Sequence, residues 1–221
     1  MLPLRDLNPS RSTPVVVYML IATCVAIFLY TMGLGSEAAQ AAFFARYGAV
    51  PAQITGGLAG ARGLVTSMFL HGSWMHLGGN MLYLWVFGDN VEDAMGHGRF
   101  MVFYLTGGVI AGLAHVVTQP ASPVPLVGAS GAIAAVLGAY LVLYPRASIL
   151  SLVFFGVFVR FMELPALLVL SLWFVLQVVQ GVATLGMPGV TTVAWWAHIG
   201  GFVAGVALVG LFARRRAPRI I

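Results

Sequence analysis

The chain has 221 residues, of which 60% are hydrophobic and only 8% are charged. A soluble domain carries about a quarter charged residues, so this composition argues against a water-soluble protein and indicates a membrane protein. The formal charge of +5 comes from arginine alone, and the arginines are scattered between apolar segments rather than gathered on one face, which argues against nucleic-acid binding. The single cysteine, Cys24, excludes an intrachain disulfide framework and a cysteine-rich metal site.

Six apolar segments follow one another along the chain, each near the ~20 residues that an α-helix needs to cross a bilayer. The first exceeds the ~7–15-residue core of a signal peptide, so we interpret it as a retained helix, although 38–41 resembles a cleavage site. The only long loop, 34–73, is expected to lie partly in the outer interface. The sequence therefore predicts an all-α, polytopic bundle of six transmembrane helices, a single membrane domain over 1–221 with its core at about 14–213 and short cytoplasmic tails. The predicted spans are 14–33, 75–90, 99–119, 129–145, 164–184 and 193–213.

A seventh apolar run, Ile149 to Val159, is eleven residues long and too short to span, so we expect an interfacial or re-entrant segment there. With six spans and the N-terminus inside, nine arginines are cytoplasmic and only Arg46 and Arg62 lie outside, as the positive-inside rule favours. A seventh span would place the arginines at 214–216 outside. We therefore expect both termini in the cytoplasm and the protein in the cell (inner) membrane of a prokaryote.

Polar side chains inside a bilayer are costly and by default indicate function. Four lie near the start of predicted spans: His76 and Asn80 in the second, Ser130 in the fourth and His198 in the sixth. These three spans begin on the outer side, so at ~1.5 Å per residue all four residues lie within roughly 10 Å of the outer surface. Three segments of the chain thus deliver polar groups to one depth.

Small residues share the helix faces of Ser130 and His198, and such faces let two membrane helices approach closely. Close approach is what a serine–histidine hydrogen bond of ~2.6–3.2 Å requires. The small residues are Ala134 and Gly138 in the fourth span and Gly201 and Gly205 in the sixth.

This combination predicts a hydroxyl nucleophile, Ser130, with His198 as its base. His76 and Asn80 are four residues apart and point from one face, so with the backbone N–H of Ser130 they are candidates for an oxyanion hole. No Asp or Glu lies near this depth, which predicts a dyad without a carboxylate. No cofactor or metal is implied.

With these motifs in this order, the chain resembles the rhomboid intramembrane serine proteases over nearly its whole length. The resemblance implies a six-helix bundle that cleaves transmembrane protein substrates near the outer membrane face. It places the family's nucleophile on Ser130, its base on His198 and its oxyanion-stabilising side chains on His76 and Asn80. Many members carry a Trp-Arg pair in the first loop, where this chain has Ala61-Arg62. The matching segments are Phe69–His71, His76–Asn80, Gly88–Glu92, Gly128–Gly131 and Ala197–Gly201.

Other functions remain open. A non-catalytic, rhomboid-like adaptor or chaperone would bind transmembrane segments, but it has no need for both Ser130 and His198. A transporter would need charged groups near mid-membrane or two repeated halves, and the sequence contains neither. A metal site built from His71, His76 and His115 would lack a carboxylate or the H-E-x-x-H arrangement of a zinc protease.

The remaining polar residues are interpreted as structural. His71 is expected to hold the loop before the second span, and His97 and His115 are assigned no role. The acidic residues Asp89, Glu92 and Asp93 are expected to form a solvated inner turn between the second and third spans, with Glu92 tying that turn together.

Overall fold

The structure is a computed structural model that describes residues 1–57, 60–156, 158–185 and 193–214. Each of the six predicted spans forms a long helix in it, and four short helical segments occupy the long loop. The long helices are α1 (Val15–Met32), α5 (Trp74–Met95), α6 (His97–Thr118), α7 (Ser130–Leu143), α8 (Ala166–Ala183) and α9 (Trp195–Phe212). The short segments are α2 (Glu37–Tyr47), α3 (Pro51–Thr55), α4 (Gly63–Thr66) and a 3₁₀ turn, Ser67–Phe69.

Length and composition identify membrane helices directly. Four of them, α1, α6, α8 and α9, are long and apolar enough to cross a membrane. Helix α5 has 22 residues but carries three acidic residues near its end, and α7 is apolar but only 14 residues long. The predicted multi-pass membrane protein built from helices is confirmed.

Helix α7 lies at the centre of the bundle and contacts the helices α5, α6, α8 and α9. Every residue from Gly131 to Tyr140 is buried. The predicted close approach of α7 and α9 is confirmed, because a side chain at Gly201 would collide with the backbone carbonyl of Gly131, and one at Gly138 with that of Phe202. Because residues 131–140 of α7 are shielded by protein, only the last turn of this short helix is exposed, with Val142 48% exposed.

Two ends of the bundle can be distinguished. The loop end holds the starts of α5, α7 and α9 together with α2–α4. The termini end holds the end of α5, the start of α1 and the N-terminal strand. The N–H of Arg214 donates to the carbonyl of Ala94 at 2.9 Å, so the described C-terminal residue also lies at the termini end. The N-terminal strand and Arg214 thus lie at the same end of the bundle, as an even number of spans requires.

The termini end also contains a three-stranded antiparallel sheet, in the order β1-β2-β3, which the sequence analysis did not predict. The strands are β1 (Leu2–Asp6), β2 (Ser148–Phe155) and β3 (Phe158–Pro165). The seventh apolar run therefore does not span, as predicted, but forms β2 and the start of β3 rather than a re-entrant segment. A short apolar run cannot be assigned to strand or helix from periodicity alone.

Glu92 corrects the expectation of a solvated turn. Helix α5 continues to Met95, and the Glu92 side chain is completely buried. Its two carboxylate oxygens accept the backbone N–H groups of Val16 and Val17, each at 2.9 Å. These are first-turn donors of α1, whose N-cap Pro14 supplies no side-chain cap. A carboxylate at a helix N-terminus satisfies such donors and is favoured by the helix dipole.

A second acidic residue, the half-buried Asp6, holds the N-terminal strand to the bundle. The Asp6 carboxylate accepts hydrogen bonds from the Tyr140 hydroxyl at 2.5 Å and the Asn90 amide at 2.6 Å. Burial, opposed in part by the hydrogen bonds from Tyr140 and the Asn8 backbone N–H, raises the pKa of Asp6 from 3.8 to about 6. Strand β1 is thereby joined to both α5 and α7.

Candidate functional site

Ser130 is the first residue of α7 and follows a turn that only glycine accommodates well. Gly128 has a φ of +126°, a region that side-chain-bearing residues rarely adopt. The N–H of Gly128 donates to the carbonyl of Ser67 at 2.9 Å, which fixes the turn to the 3₁₀ segment before α5. The serine hydroxyl therefore lies at the start of a helix, directly after a turn that is held by a backbone hydrogen bond.

His198 reaches Ser130 from the first turn of α9. The Nε2 atom of His198 lies 2.7 Å from the Oγ atom of Ser130. The close backbone packing of α7 against α9, one turn deeper, permits this distance. The structure thus brings together two side chains that the sequence placed at one depth, 68 residues apart in the chain.

The start of α7 also offers backbone donors. The first intrahelical hydrogen bond at this end joins the N–H of Ile133 to the carbonyl of Ala129. The N–H groups of Ser130, Gly131 and Ala132 precede it and therefore have no partner within the helix. Free N–H groups at a helix start favour an anion.

His76 and Asn80 face the same turn from α5. The Ser73 hydroxyl caps α5 by accepting the N–H of His76 at 3.1 Å. A Cβ atom placed on Gly128 would lie 2.6 Å from Nε2 of His76 and 3.7 Å from Nδ2 of Asn80. Both side chains therefore border the turn that carries Ser130. Asn80 is buried, and its Nδ2 has no hydrogen-bond partner among the described residues.

Gln177 of α8 completes the polar cluster, and the sequence analysis missed it. Its Oε1 atom lies 2.8 Å from Nδ1 of His198, and its Nε2 donates to the carbonyl of Trp173 at 3.3 Å. Gln177 is buried, with 7% of its surface exposed. The available signal was one of two amides, Gln177 and Gln180, within a largely apolar span. Among the described residues, the partner of His198 Nδ1 is therefore an amide oxygen.

Aromatic rings surround the imidazole of His198. The Trp173 ring lies 6.0 Å from it at 34°, and the Trp195 ring lies 6.2 Å from it at 88°, measured between centroids. These rings limit the rotation of the imidazole and separate it from lipid. His198 is therefore held on three sides, by Ser130, Gln177 and the two tryptophans.

The other histidines lie outside this cluster or beside it. His71 is buried and packs edge to face against His76, with 5.1 Å between ring centroids. Burial and the neighbouring His76 lower the pKa of His71 to about 4. His97 has a partner that the sequence did not reveal, since its Nδ1 lies 2.5 Å from the Glu92 carboxylate. His115 is buried in α6. The described residues hold no group of three His, Cys, Asp or Glu side chains that could bind a metal ion.

Comparison with known proteins identifies a family. The Rhomboid domain family model matches residues 58–215, more than half of the chain. Rhomboid protease GluP of Bacillus subtilis (strain 168) is 45% identical over 78 residues, which cover 35% of this chain and 15% of GluP. Rhomboid protein 1, mitochondrial, of Saccharomyces cerevisiae is 36% identical over 95 residues, covering 41% of this chain and 28% of the relative.

A mitochondrial protein of animals is similar as well. The Presenilin-associated rhomboid-like protein, mitochondrial, of Homo sapiens is 35% identical over 97 residues, covering 43% of this chain and 25% of the relative. The matched segments thus cover between 15% and 28% of the length of these three relatives.

Proposed function

Because this chain belongs to the rhomboid family, we propose that it is an intramembrane serine endopeptidase that cleaves transmembrane-segment substrates near the outer membrane face. The observation that carries the proposal is the 2.7 Å distance between Nε2 of His198 and Oγ of Ser130. A nucleophile and its base within hydrogen-bond distance are the minimum for acyl transfer.

The proposed reaction begins when His198 Nε2 takes the Ser130 proton. The Ser130 oxygen attacks the scissile carbonyl carbon, and a tetrahedral intermediate with a negative oxygen forms. His198 then gives its proton to the leaving amine as the peptide bond breaks. Water, deprotonated by the same histidine, hydrolyses the acyl-enzyme and regenerates the hydroxyl. The substrate helix must unwind locally before its carbonyl can be attacked.

The negative oxygen needs donors, and we assign this role to His76, Asn80 and the N–H groups at the start of α7. The position of both side chains beside Gly128 supports the assignment, as does Asn80 Nδ2, which has no hydrogen-bond partner in the part of the chain that the structure describes. Donors aimed at developing charge in a water-poor site contribute strongly to catalysis, and removing one costs about 10²–10³ in rate. Neither a metal nor a cofactor takes part in the proposed reaction.

A serine-reactive fluorophosphonate tests the proposal against the non-catalytic adaptor. We expect the purified protein to be labelled, Ser130→Ala to lose the label, and Ser122→Ala to keep it. Ser122 is a matched control because it also lies near the loop end, on the connection before α7. A folded wild-type protein that neither takes the label nor cleaves a transmembrane substrate would favour the adaptor.

We also propose that the chain forms one membrane domain over 1–221 with both termini cytoplasmic, in a prokaryotic inner membrane. The shared termini end and the arginine distribution support this orientation. After a Cys24→Ser change, a cysteine at position 55 in α3 should react with an impermeant thiol reagent in intact cells, whereas one at position 217 should not. Position 217 lies outside the described residues. Labelling at 217 alone would mean an inverted protein.

A further inference from the structure

We propose that Gln177 is a positioning residue that fixes the tautomer and orientation of His198, so that the reaction uses a neutral amide where many serine hydrolases use a carboxylate. This inference rests on the proposed function. It follows from which atom donates in each of three linked hydrogen bonds. These join Gln177 to the Trp173 carbonyl within α8, His198 of α9 to Gln177, and Ser130 of α7 to His198.

The first of these hydrogen bonds has a backbone carbonyl as its acceptor. The carbonyl of Trp173 can only accept a hydrogen bond, so the Gln177 atom 3.3 Å from it is the amide nitrogen. The other end of the amide, Oε1, therefore faces His198 at 2.8 Å. An amide oxygen also only accepts, so Nδ1 of His198 must carry the proton.

The protonated Nδ1 determines the chemistry at the other ring nitrogen. A neutral imidazole carries one proton, so Nε2 has a free lone pair, directed at the Ser130 hydroxyl 2.7 Å away. That is the tautomer that can act as a base. If the amide were reversed, its NH₂ group would donate to Nδ1, and a protonated Nε2 could not take the serine proton.

The site explains why an amide is suited to this role. Gln177 lies inside a membrane helix with most of its surface covered, and an ionised carboxylate there would be expensive without a paired cation. The Trp173 ring, 6.0 Å from the imidazole, can stabilise the positive charge that His198 gains during the reaction. Trp173 thus contributes its carbonyl to Gln177 and its ring to His198.

Three variants separate positioning from packing. Gln177→Met keeps the length of the side chain but removes the amide, and we expect kcat to fall by ~10–100-fold with KM nearly unchanged. Gln177→Glu keeps an acceptor toward Nδ1 but loses the donor to the Trp173 carbonyl, so kcat should fall less than in Gln177→Met. Gln180→Met is the matched control, since Gln180 is exposed one turn further along α8, and it should behave as wild type.

A spectroscopic measurement can determine the tautomer of His198 in the wild-type protein itself. With ¹⁵N-labelled histidine, the His198 signal, identified by its loss in His198→Ala, should report the Nδ1–H tautomer. In Gln177→Met it should report a mixture of tautomers.

An Nε2–H tautomer in wild type would overturn the assignment, as would normal kcat in Gln177→Met. Either result leaves the proposed function intact if Ser130→Ala is inactive. If the wild type cleaves nothing, the proposed function fails, and the tautomer still decides whether Gln177 orients His198.

Discussion

The two ends of the bundle differ in how completely their polar groups are hydrogen-bonded. At the termini end, two carboxylates have several partners each: the buried Glu92 accepts two backbone N–H groups and contacts His97, and the half-buried Asp6 accepts hydrogen bonds from Tyr140 and Asn90. At the loop end, Ser130, His198 and Gln177 are hydrogen-bonded to one another, but several other buried polar atoms lack protein partners within the described residues. These are the ring nitrogens of His71, Nδ2 of Asn80, Nδ1 of His115 and Nε1 of Trp195; a further unpaired atom, the hydroxyl of Tyr104, lies within α6.

The difference indicates that the two ends serve different purposes. A buried polar atom without a partner costs about 1–3 kcal/mol, so a fold optimised only for stability would avoid a group of them. Such atoms are tolerated where a substrate or water supplies the missing partner. At the termini end, Glu92 and Asp6 join the N-terminal strand and α1 to α5 and α7, and we call this group of contacts the clamp. The loop end is interpreted as a site where a substrate or water binds. The following predictions test that division.

The largest effect is expected for the proposed dyad. Ser130→Ala and His198→Ala should each lower the rate of cleavage of a model transmembrane substrate by ~10⁴-fold or more, and the double variant should cost little more than either single one. The two residues act as a unit, so their losses do not add. The melting temperatures should stay within a few degrees of wild type. Substantial cleavage by Ser130→Ala would contradict the assignment of Ser130 as the nucleophile. The loop end could then no longer be interpreted as the catalytic site.

Gly201 is expected to be the next most sensitive position, although it performs no chemistry. A side chain there would collide with the carbonyl of Gly131 and push α9 away from α7. Overpacking typically costs ~1–3 kcal/mol, and a shift of His198 by about 1 Å can lower the rate ~100-fold. Gly201→Val should therefore impair cleavage severely.

The matched control is Gly210→Val in the same helix. A Cβ atom at Gly210 would have no described residue within 4 Å, so this variant should be mild in both cleavage rate and melting temperature. Equal behaviour of the two variants would show that helix contact does not set the distance between His198 and Ser130.

The site was more predictable from the sequence than the clamp. Ser130 and His198 stand out together, because an imidazole is rare in apolar spans and helical rise alone places it at the same depth as the serine. Gln177 does not stand out in the same way, since an amide in a membrane helix is equally typical of an interhelical hydrogen bond. Its role depends on which atom of a distant residue it faces.

The termini end could not be predicted for a related reason. The partners of Glu92 are backbone N–H groups of residues 75 and 76 positions away, and backbone groups leave no trace in the sequence. The hairpin of β2 and β3 was missed because its apolar run has no helical or strand period that distinguishes it. Periodicity and polarity identify the spans, but not the contacts that join their ends.

A substitution at the clamp should separate stability from chemistry. Glu92→Gln replaces one acceptor oxygen by an NH₂ group that opposes an N–H of α1. We expect the free energy of unfolding to fall by about 1–3 kcal/mol, while cleavage by the folded protein at low temperature stays near wild type. Glu163→Gln, the same change at an exposed position of β3, is the control. A loss of kcat without a loss of melting temperature would mean that the termini end takes part in the reaction.

The smallest expected effect is a pH dependence of stability from Asp6. In the unfolded chain Asp6 titrates near 3.8, whereas burial and the neighbouring Asp89 carboxylate raise the pKa of Asp6 to about 6 in the folded protein. Between these values the folded state binds a proton that the unfolded state has released, so the contribution of Asp6 to stability is greatest below about pH 4 and is lost as the pH rises to about 6.

Asp6→Asn removes this titration and keeps the size of the side chain. The melting temperature of the variant relative to wild type should therefore rise as the pH increases from about 4 to about 6, and remain level above that. His71 works in the opposite direction, because its lowered pKa of about 4 makes protonation favour the unfolded chain, but it is present in both proteins and cancels in the difference. A difference that does not vary across this window would show that the Asp6 carboxylate is ionised in the folded protein, stabilised by Tyr140 and Asn90 at least as strongly as burial disfavours it.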